Sequence, residues 1–443
     1  MGFGLALVAA GSASAELVAR GVHDGMLALG PKGKPYVAYI RAGNVVVASR
    51  GPRGWRAETA DTVARGSHVR AFEVGPAGPI ALVQSPDSRR LVVLRRGLLG
   101  WQAIPVVAHL PARAMLGWPG LALDARGNAV VAYARWNSAN LLTQLVLARV
   151  DGQGRVRAER ITLGGFPQSY LPPPAEPVVV GKRVHVLESV GWRGSVDTFE
   201  WYPHRKTWIG LGVDVSRGDW PLGPILAQRS RAGVVYAAWT ESMLGYGFVP
   251  VTLASHAVPA VTVRSEFVLD RALTTALTLA PSGPEVAANE WVASEDLGLE
   301  GERDIWAGVI RSAHRVELDG WIAGFASASN GGRDLVLDGP RGLSWFRSPT
   351  RLTTLVRIDA AAESDGVRIS GTVQGVAAGT VRLYRERPGA ARQAIGSTAI
   401  TNGTFAFVDP SPVQPLLYRA VYTDPKTKIP YAALLRPPPD YPY

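Results

Sequence analysis

The chain contains no cysteine. Disulfides, thiolate metal sites, iron–sulfur clusters and cysteine nucleophiles are excluded together, so any chemistry here uses oxygen and nitrogen groups. Lysine is scarce as well: Lys32, Lys34, Lys182, Lys206, Lys426 and Lys428 are the only six among 47 basic residues. The formal charge of +11 is therefore carried by arginine. An Ala-, Gly- and Arg-heavy composition is what a GC-rich genome produces, and no nucleic-acid-binding motif accompanies the arginines, so a nucleic-acid partner is not indicated. The seven histidines are scattered, with no HExxH and no pair at ligand spacing, and no dedicated metal site is read. No GxSxG, Walker or dinucleotide fingerprint occurs. No charge-free apolar run approaches the roughly 20 residues that a membrane-spanning helix needs.

What is abundant is punctuation. The 443 residues include 49 glycines and 33 prolines, within a composition that is 47% hydrophobic. Such a chain has enough apolar material for a large core, but turns cut it into many short segments, which argues for an all-β fold and against a helical bundle.

A repeat organises these segments. An alternating strand ending in a polar residue recurs as Val37-Ala38-Tyr39-Ile40-Arg41, Ile80-Ala81-Leu82-Val83-Gln84, Val131-Ala132-Tyr133-Ala134-Arg135 and Val184-His185-Val186-Leu187-Glu188. It returns as Ala237-Ala238-Trp239-Thr240-Glu241, Val286-Ala287-Ala288-Asn289-Glu290 and Leu343-Ser344-Trp345-Phe346-Arg347. The mean spacing is about 51 residues, the length of a four-stranded blade with its loops. A shorter apolar strand and a Gly-rich turn come before each copy, as in Leu27 to Gly33 and Phe72 to Gly78. A third strand follows, and several units close on a Trp-bearing strand, such as Gly54-Trp55-Arg56 and Gly100-Trp101-Gln102. This pattern reads as a seven-bladed β-propeller over residues 16–357, although six or eight blades fit the same weak repeat. The last unit lacks a fourth strand, which Glu16 to Val22 is expected to supply.

All 13 tryptophans lie between Trp55 and Trp345, and this shift marks a boundary near Ile358. A small β-sandwich is expected over 358–443, with Asn402-Gly403 as a type I′ hairpin turn. The strands Gly379-Thr380-Val381-Arg382-Leu383-Tyr384-Arg385, Asn402-Gly403-Thr404-Phe405-Ala406-Phe407 and Tyr418-Arg419-Ala420-Val421-Tyr422 resemble the immunoglobulin-like or fibronectin-like modules of secreted bacterial proteins. The resemblance implies a spacer or an adhesive appendage. At the other end, Gly2 to Ala10 is apolar and Ser12-Ala13-Ser14-Ala15 carries an Ala-x-Ala pattern. Residues 1–15 therefore read as a possible signal peptide without the usual basic start, and the protein is expected to be secreted or at the cell surface.

Propellers bind ligands at one mouth of the central channel, where the recurring polar strand ends should gather. The clustered Glu188, Glu241 and Glu290 are the candidate acid/base residues if the chain is a carbohydrate-active hydrolase or lyase. The candidate ligand-binding residues are Arg41, Arg135 and Arg347, whose guanidinium groups suit oxyanions, and Tyr39, Trp136, Trp291 and Trp345, whose rings suit sugars. The acidic loop Glu295 to Asp304 offers oxygen ligands for calcium but lacks dedicated-loop spacing, so it reads as solvated and no cofactor is assigned. The favoured reading is a non-catalytic binding protein with polysaccharide or a surface protein as partner. A hydrolase or lyase, and a surface or filament subunit that self-assembles through its C-terminal region, are the alternatives.

Overall fold

The computed structural model describes residues 15–435 apart from 23–24, 98, 162–171, 191–194, 203–206, 211–223, 230–234, 239–245, 249–250, 254–260, 264–266, 270–271, 281–282, 293–302, 312–313, 340, 387–391 and 411–416. Among the described residues there is no α-helix, only strands, turns and a single 3-10 turn at Pro31–Gly33. The fold is all-β.

Alternation of apolar and polar residues dictates short strands, and these pair in chain order into antiparallel sheets four strands wide. The first sheet runs Gly25–Leu29, Pro35–Arg41, Asn44–Gly51, Gly54–Thr62, and the second His68–Gly75, Gly78–Gln84, Leu91–Gly97, Gly100–Val107. The third splits its inner position between Ala114–Leu116 and Gly120–Leu123, then continues through Ala129–Asn137, Thr143–Val150 and Val156–Arg160. The fourth is Ala175–Val180, Arg183–Val190, Ser195–Tyr202, Thr207–Gly210; the fifth Leu226–Arg229, Val235–Ala238, Val251–Leu253, Val261–Val263. The sixth is Ala272–Ala280, Gly283–Val292, Arg303–Arg311, His314–Leu318. The last takes Trp321–Ser327, Arg333–Gly339 and Gly342–Ser348 from one end of the chain and Glu16–Arg20 from the other.

The first strand of each sheet lies against the first strand of the next, and Trp321–Ser327 comes back against Gly25–Leu29, so the inner strands form a closed cycle. Each sheet has two apolar faces, and the cycle buries both. One cluster joins the last and first sheets through Ala323, Leu343, Trp345, Val37 and Tyr39. Others join the first sheet to the second through Ala38, Phe72 and Leu94, and the second to the third through Leu82, Val93 and Tyr133. As expected from sequence, the N-terminal strand completes the last sheet, with Glu16 opposite Trp345 and Arg20 opposite Gly342.

The repeat alignment is corrected in that sheet. Leu343 to Arg347 belongs to its third strand; the second is Arg333–Gly339 and the first is Trp321–Ser327. Both hairpin partners alternate in the same way, and only packing shows which one is inner.

Beyond Val356 the strands run in the order Val356–Glu363, Gly366–Val373, Thr404–Asp409, Gln393–Thr401, Ala378–Glu386, Leu417–Thr423, Pro430–Leu435. The link between the third and fourth of these is the single pair Thr401 and Thr404. Asn402 (φ 53°) and Gly403 (φ 80°) form that turn, the two successive positive φ values that the Asn-Gly pair predicts. This unit is docked rather than tethered. Leu318 of the sixth sheet pairs with Tyr431, Asp319 N donates to Pro430 O at 2.9 Å, and Leu318, Ile322 and Phe325 share one core with Ile369, Leu383 and Tyr431.

Candidate functional site

Second-to-third-strand turns and sheet-to-sheet links emerge at one end of the cycle. Val63 N bonds Gly43 O (2.7 Å), Leu110 N bonds Arg89 O (3.0 Å) and Ser138 N bonds Arg113 O (2.9 Å), tying each turn to a neighbouring link. This end is the mouth at which the sequence places its candidates. Arg41 is exposed there, and Arg135 and Trp136 are half-buried on the second strand of the third sheet. The Arg135 guanidinium sits 5.7 Å from the Tyr133 ring centroid.

Other predicted residues lie elsewhere. Tyr39 (2% exposed) and Trp345 (5%) are core residues between the first and last sheets, because the alternation that brings a ring to that strand face points it at the neighbouring sheet. Trp345 packs edge-on to Trp55 at 5.8 Å and donates its indole N–H to Asp334 at 2.9 Å. Arg347 stands at the opposite end of the cycle, where it grips the buried Asp334 (2.9 Å) and donates to Gly33 O (3.1 Å). Glu188 is on the expected strand but only 1% exposed. Glu290 and Trp291 lie on Gly283–Val292, opposite Trp306 and Asp304, and their side chains fall outside the described set. Glu241 and most of the acidic loop (295–302) lie outside the described residues. Among the described residues no group of three or more metal-ligating side chains occurs, and no helix is long and apolar enough to cross a membrane.

The mouth gathers instead a set of which sequence reasoning placed only Gln84, one of the recurring polar strand ends. A bulge between Val69 and Ala71 frees Arg70 from the ladder of the second sheet's inner strand. Its guanidinium lies 3.9 Å from the Trp118 ring centroid, a cation–π stack. Arg70 Nε donates to Gln84 Oε1 at 2.6 Å, and Gln84 Nε2 donates to Leu116 O (3.3 Å) and Gly117 O (3.2 Å). Trp118 in turn joins the fourth sheet: its carbonyl accepts from Ala175 N at 2.9 Å, and Pro119 bridges Ala175 in parallel.

Two residues along from Trp118, Gly120 lies under the Glu176 carboxylate, in the space that a β-carbon would occupy. Glu73, from the second sheet, is close enough to act on Glu176 electrostatically. The third sheet lies between their sheets, and glycine in its inner strand leaves room for the Glu176 carboxylate. Burial pushes the Glu73 carboxyl up to about 7. Burial, reinforced by Glu73, holds Glu176 well above the carboxylate range. Both keep partial solvent access. At neutral pH such a pair retains a proton and offers both a donor and an acceptor to one ligand. The sequence signal is a lone glutamate in an apolar inner strand, in Phe72-Glu73-Val74 and Ala175-Glu176-Pro177.

Sheets and mouth together define an all-β protein with propeller-like structural neighbours. No family model matches the chain, and no curated protein matches it in sequence. Similar solved structures include the SapL1 lectin in complex with alpha methyl fucoside, at 12% identity over 66% of this chain and 94% of that one, with a TM-score of 0.42. The exo-beta-1,3-galactanase of Phanerochaete chrysosporium is similar at 8% identity over 85% and 97%, with a TM-score of 0.38. The WD40 domain of SCAP from fission yeast is similar at 10% identity over 95% and 94%, with a TM-score of 0.37.

Proposed function

We propose that the chain is an exported binding protein: a seven-bladed propeller, with a fibronectin-like sandwich docked on it, that holds polysaccharide or another protein at the mouth. The blade count rests on the order of the four-stranded sheets and their closed cycle of inner strands. The sandwich rests on the strand order beyond Val356 and on Tyr418 Oη donating to Asp409 at 3.1 Å across the corner between Thr404–Asp409 and Leu417–Thr423. Export rests on Ser12-Ala13-Ser14-Ala15 before the closing strand at Glu16.

The observation that carries the reading is the juxtaposition of the Arg70–Trp118–Gln84 stack with the Glu73 and Glu176 carboxyls. A guanidinium held on an indole ring, beside two carboxyls that keep their protons above the usual range, matches the hydroxyls of a sugar chain. A glycan array tests it. Trp118→Ala, which removes the ring that holds Arg70 in place, and Glu73→Gln are expected to weaken the glycan bound by the parent chain about tenfold each. No glycan bound by the parent chain removes the polysaccharide reading.

The carboxyl pair also favours a second reading, glycosidic-bond cleavage with Glu73 and Glu176 as acid and base. Product release from a bound polysaccharide, abolished in Glu176→Gln, identifies it; binding without turnover removes it.

A further inference from the structure

We infer that the ligand at the mouth is an acidic polysaccharide, held through a band of unpaired arginines around the first three sheets; this rests on the polysaccharide reading above. The band follows from topology. The turn of the first sheet supplies Arg41, the link to the second sheet Arg65, the turn of the second sheet Arg89 and Arg90, the link to the third sheet Arg113, and the third sheet's second strand Arg135. Arg41, Arg65, Arg90 and Arg113 are exposed and the other two half-buried. Among the described residues none of the six forms an ion pair.

Where these guanidiniums have partners, the partners are uncharged. Arg89 donates to Ala112 O (2.5 Å) and Arg90 to Ala108 O (3.1 Å), which fixes the side chains without neutralising them. The Nε–H groups of Arg89 and Arg135 have no acceptor. Of the carboxylates on the same loops, Asp61 accepts from Thr62 N, and Asp87 accepts from Ser85 Oγ and Arg89 N and offsets part of the Arg89 charge. At the opposite end Lys32, Lys34 and Arg53 are exposed too, but Arg155 is paired with Asp151 (2.7 Å) and Arg347 with Asp334 (2.9 Å).

Arginine presents a planar fork that matches carboxylate and sulfate. A chain of acidic sugars lies across such a band with its hydroxyls over the central carboxyls. A nucleic acid fits less well, because Trp118 is already stacked under Arg70 and leaves no free platform for bases.

The test measures binding of the whole chain to heparin, polygalacturonate, dextran and duplex DNA across a salt series. Expected is binding to heparin or polygalacturonate in preference to dextran and DNA, falling with salt. A triple variant Arg41→Ser, Arg90→Ser, Arg113→Ser is expected to bind at least tenfold more weakly and to lower the slope of log K on log salt by roughly one per arginine. The control triple Lys32→Ser, Lys34→Ser, Arg53→Ser, which removes the same charge from the other end, is expected to change affinity less than threefold, as long-range screening allows. Equal losses in both triples, or tighter binding to DNA, overturn the inference. Dextran bound as well as the acidic chains, and unaffected by the first triple, overturns it while leaving the polysaccharide reading intact. No polysaccharide bound at all removes both.

Discussion

Gly120 and Glu176 belong to adjacent sheets, and the glutamate carboxylate rests in the space that a side chain at position 120 would fill. The backbone is close as well: a β-carbon there would lie 2.7 Å from Ala175 O and 2.7 Å from Pro177 Cδ. Gly120→Ala is therefore expected to destabilise the chain by about 2 kcal/mol through overpacking, read as a lower midpoint in chemical unfolding. Glu176→Ala in the same chain should not restore stability, since the carbonyl and proline contacts remain. Full rescue by Glu176→Ala would mean that the carboxylate alone sets the glycine requirement.

The Glu73 and Glu176 carboxyls give the fold a pH dependence of defined sign. Both sit above the ordinary value of 4.5, Glu73 at about 7. Between these limits the folded chain holds protons that the unfolded chain has released. The Glu73 contribution is thus fully present below about pH 4.5 and is lost as pH rises through about 7, and Glu176 adds a loss of the same sign. For Glu73 the difference amounts to at most about 3 kcal/mol. The stability of Glu73→Gln/Glu176→Gln, subtracted from that of the parent chain across pH 4 to 8, should trace this loss. A difference that stays flat over that range would show that neither carboxyl is shifted in the folded chain.

Much of this architecture was legible because a strand reveals itself through a period of two. Val37 to Arg41 and Val131 to Arg135 alternate, and packing on both sides holds each to one register. Asn402-Gly403 was legible because few residue pairs accept two positive φ values in a row. The missing strand of the last sheet was legible as an unpaired edge in search of a partner. The centre of the ring was not. A charged residue inside an alternating strand reads as solvent-facing, so Glu73 and Glu176 looked ordinary until closure brought inner strands of different sheets to one place. Tyr39 and Trp345 were misplaced for the converse reason: an aromatic near a strand end is compatible with a rim or with the neighbouring sheet, and packing chose the sheet.

Ring closure between the sixth and last sheets depends on buried polar staples. Glu285 (3% exposed) receives two guanidinium bonds from Arg333 (2%), one of them from Nη2 to Oε1 at 2.7 Å. Asn289 exchanges two hydrogen bonds with the Ile322 backbone at 2.8 and 2.9 Å. Glu285→Ala strands a buried guanidinium and is expected to cost about 3 to 5 kcal/mol, whereas Glu285→Leu combined with Arg333→Met should recover most of it. Urea unfolding of the three chains checks this. A small effect of Glu285→Ala alone would mean that water reaches Arg333.

The C-terminal unit makes the most direct test of how the resemblance to spacer modules departs from what is observed. Asp319, at the end of the sixth sheet's outer strand, binds Arg392 through both oxygens (2.5 and 2.9 Å) and lies 3.7 Å from Arg419, which itself bonds Glu386 at 2.6 Å. The charges sit above an apolar seam in which Leu318 and Ile322 share a core with Leu383 and Tyr431. Truncation before Val356 would open that seam, leaving the edge of His314–Leu318 unpaired and its apolar side chains in water. The truncated chain is expected to unfold at a markedly lower temperature and to aggregate. Asp319→Ala should lower stability by about 2 to 3 kcal/mol without aggregation, because charged hydrogen bonds of two largely buried ion pairs are lost while the apolar seam persists. Equal melting temperatures for the truncated and full-length chains would restore the view of a detachable appendage, since a unit that merely hangs from the ring adds nothing to the ring's own unfolding.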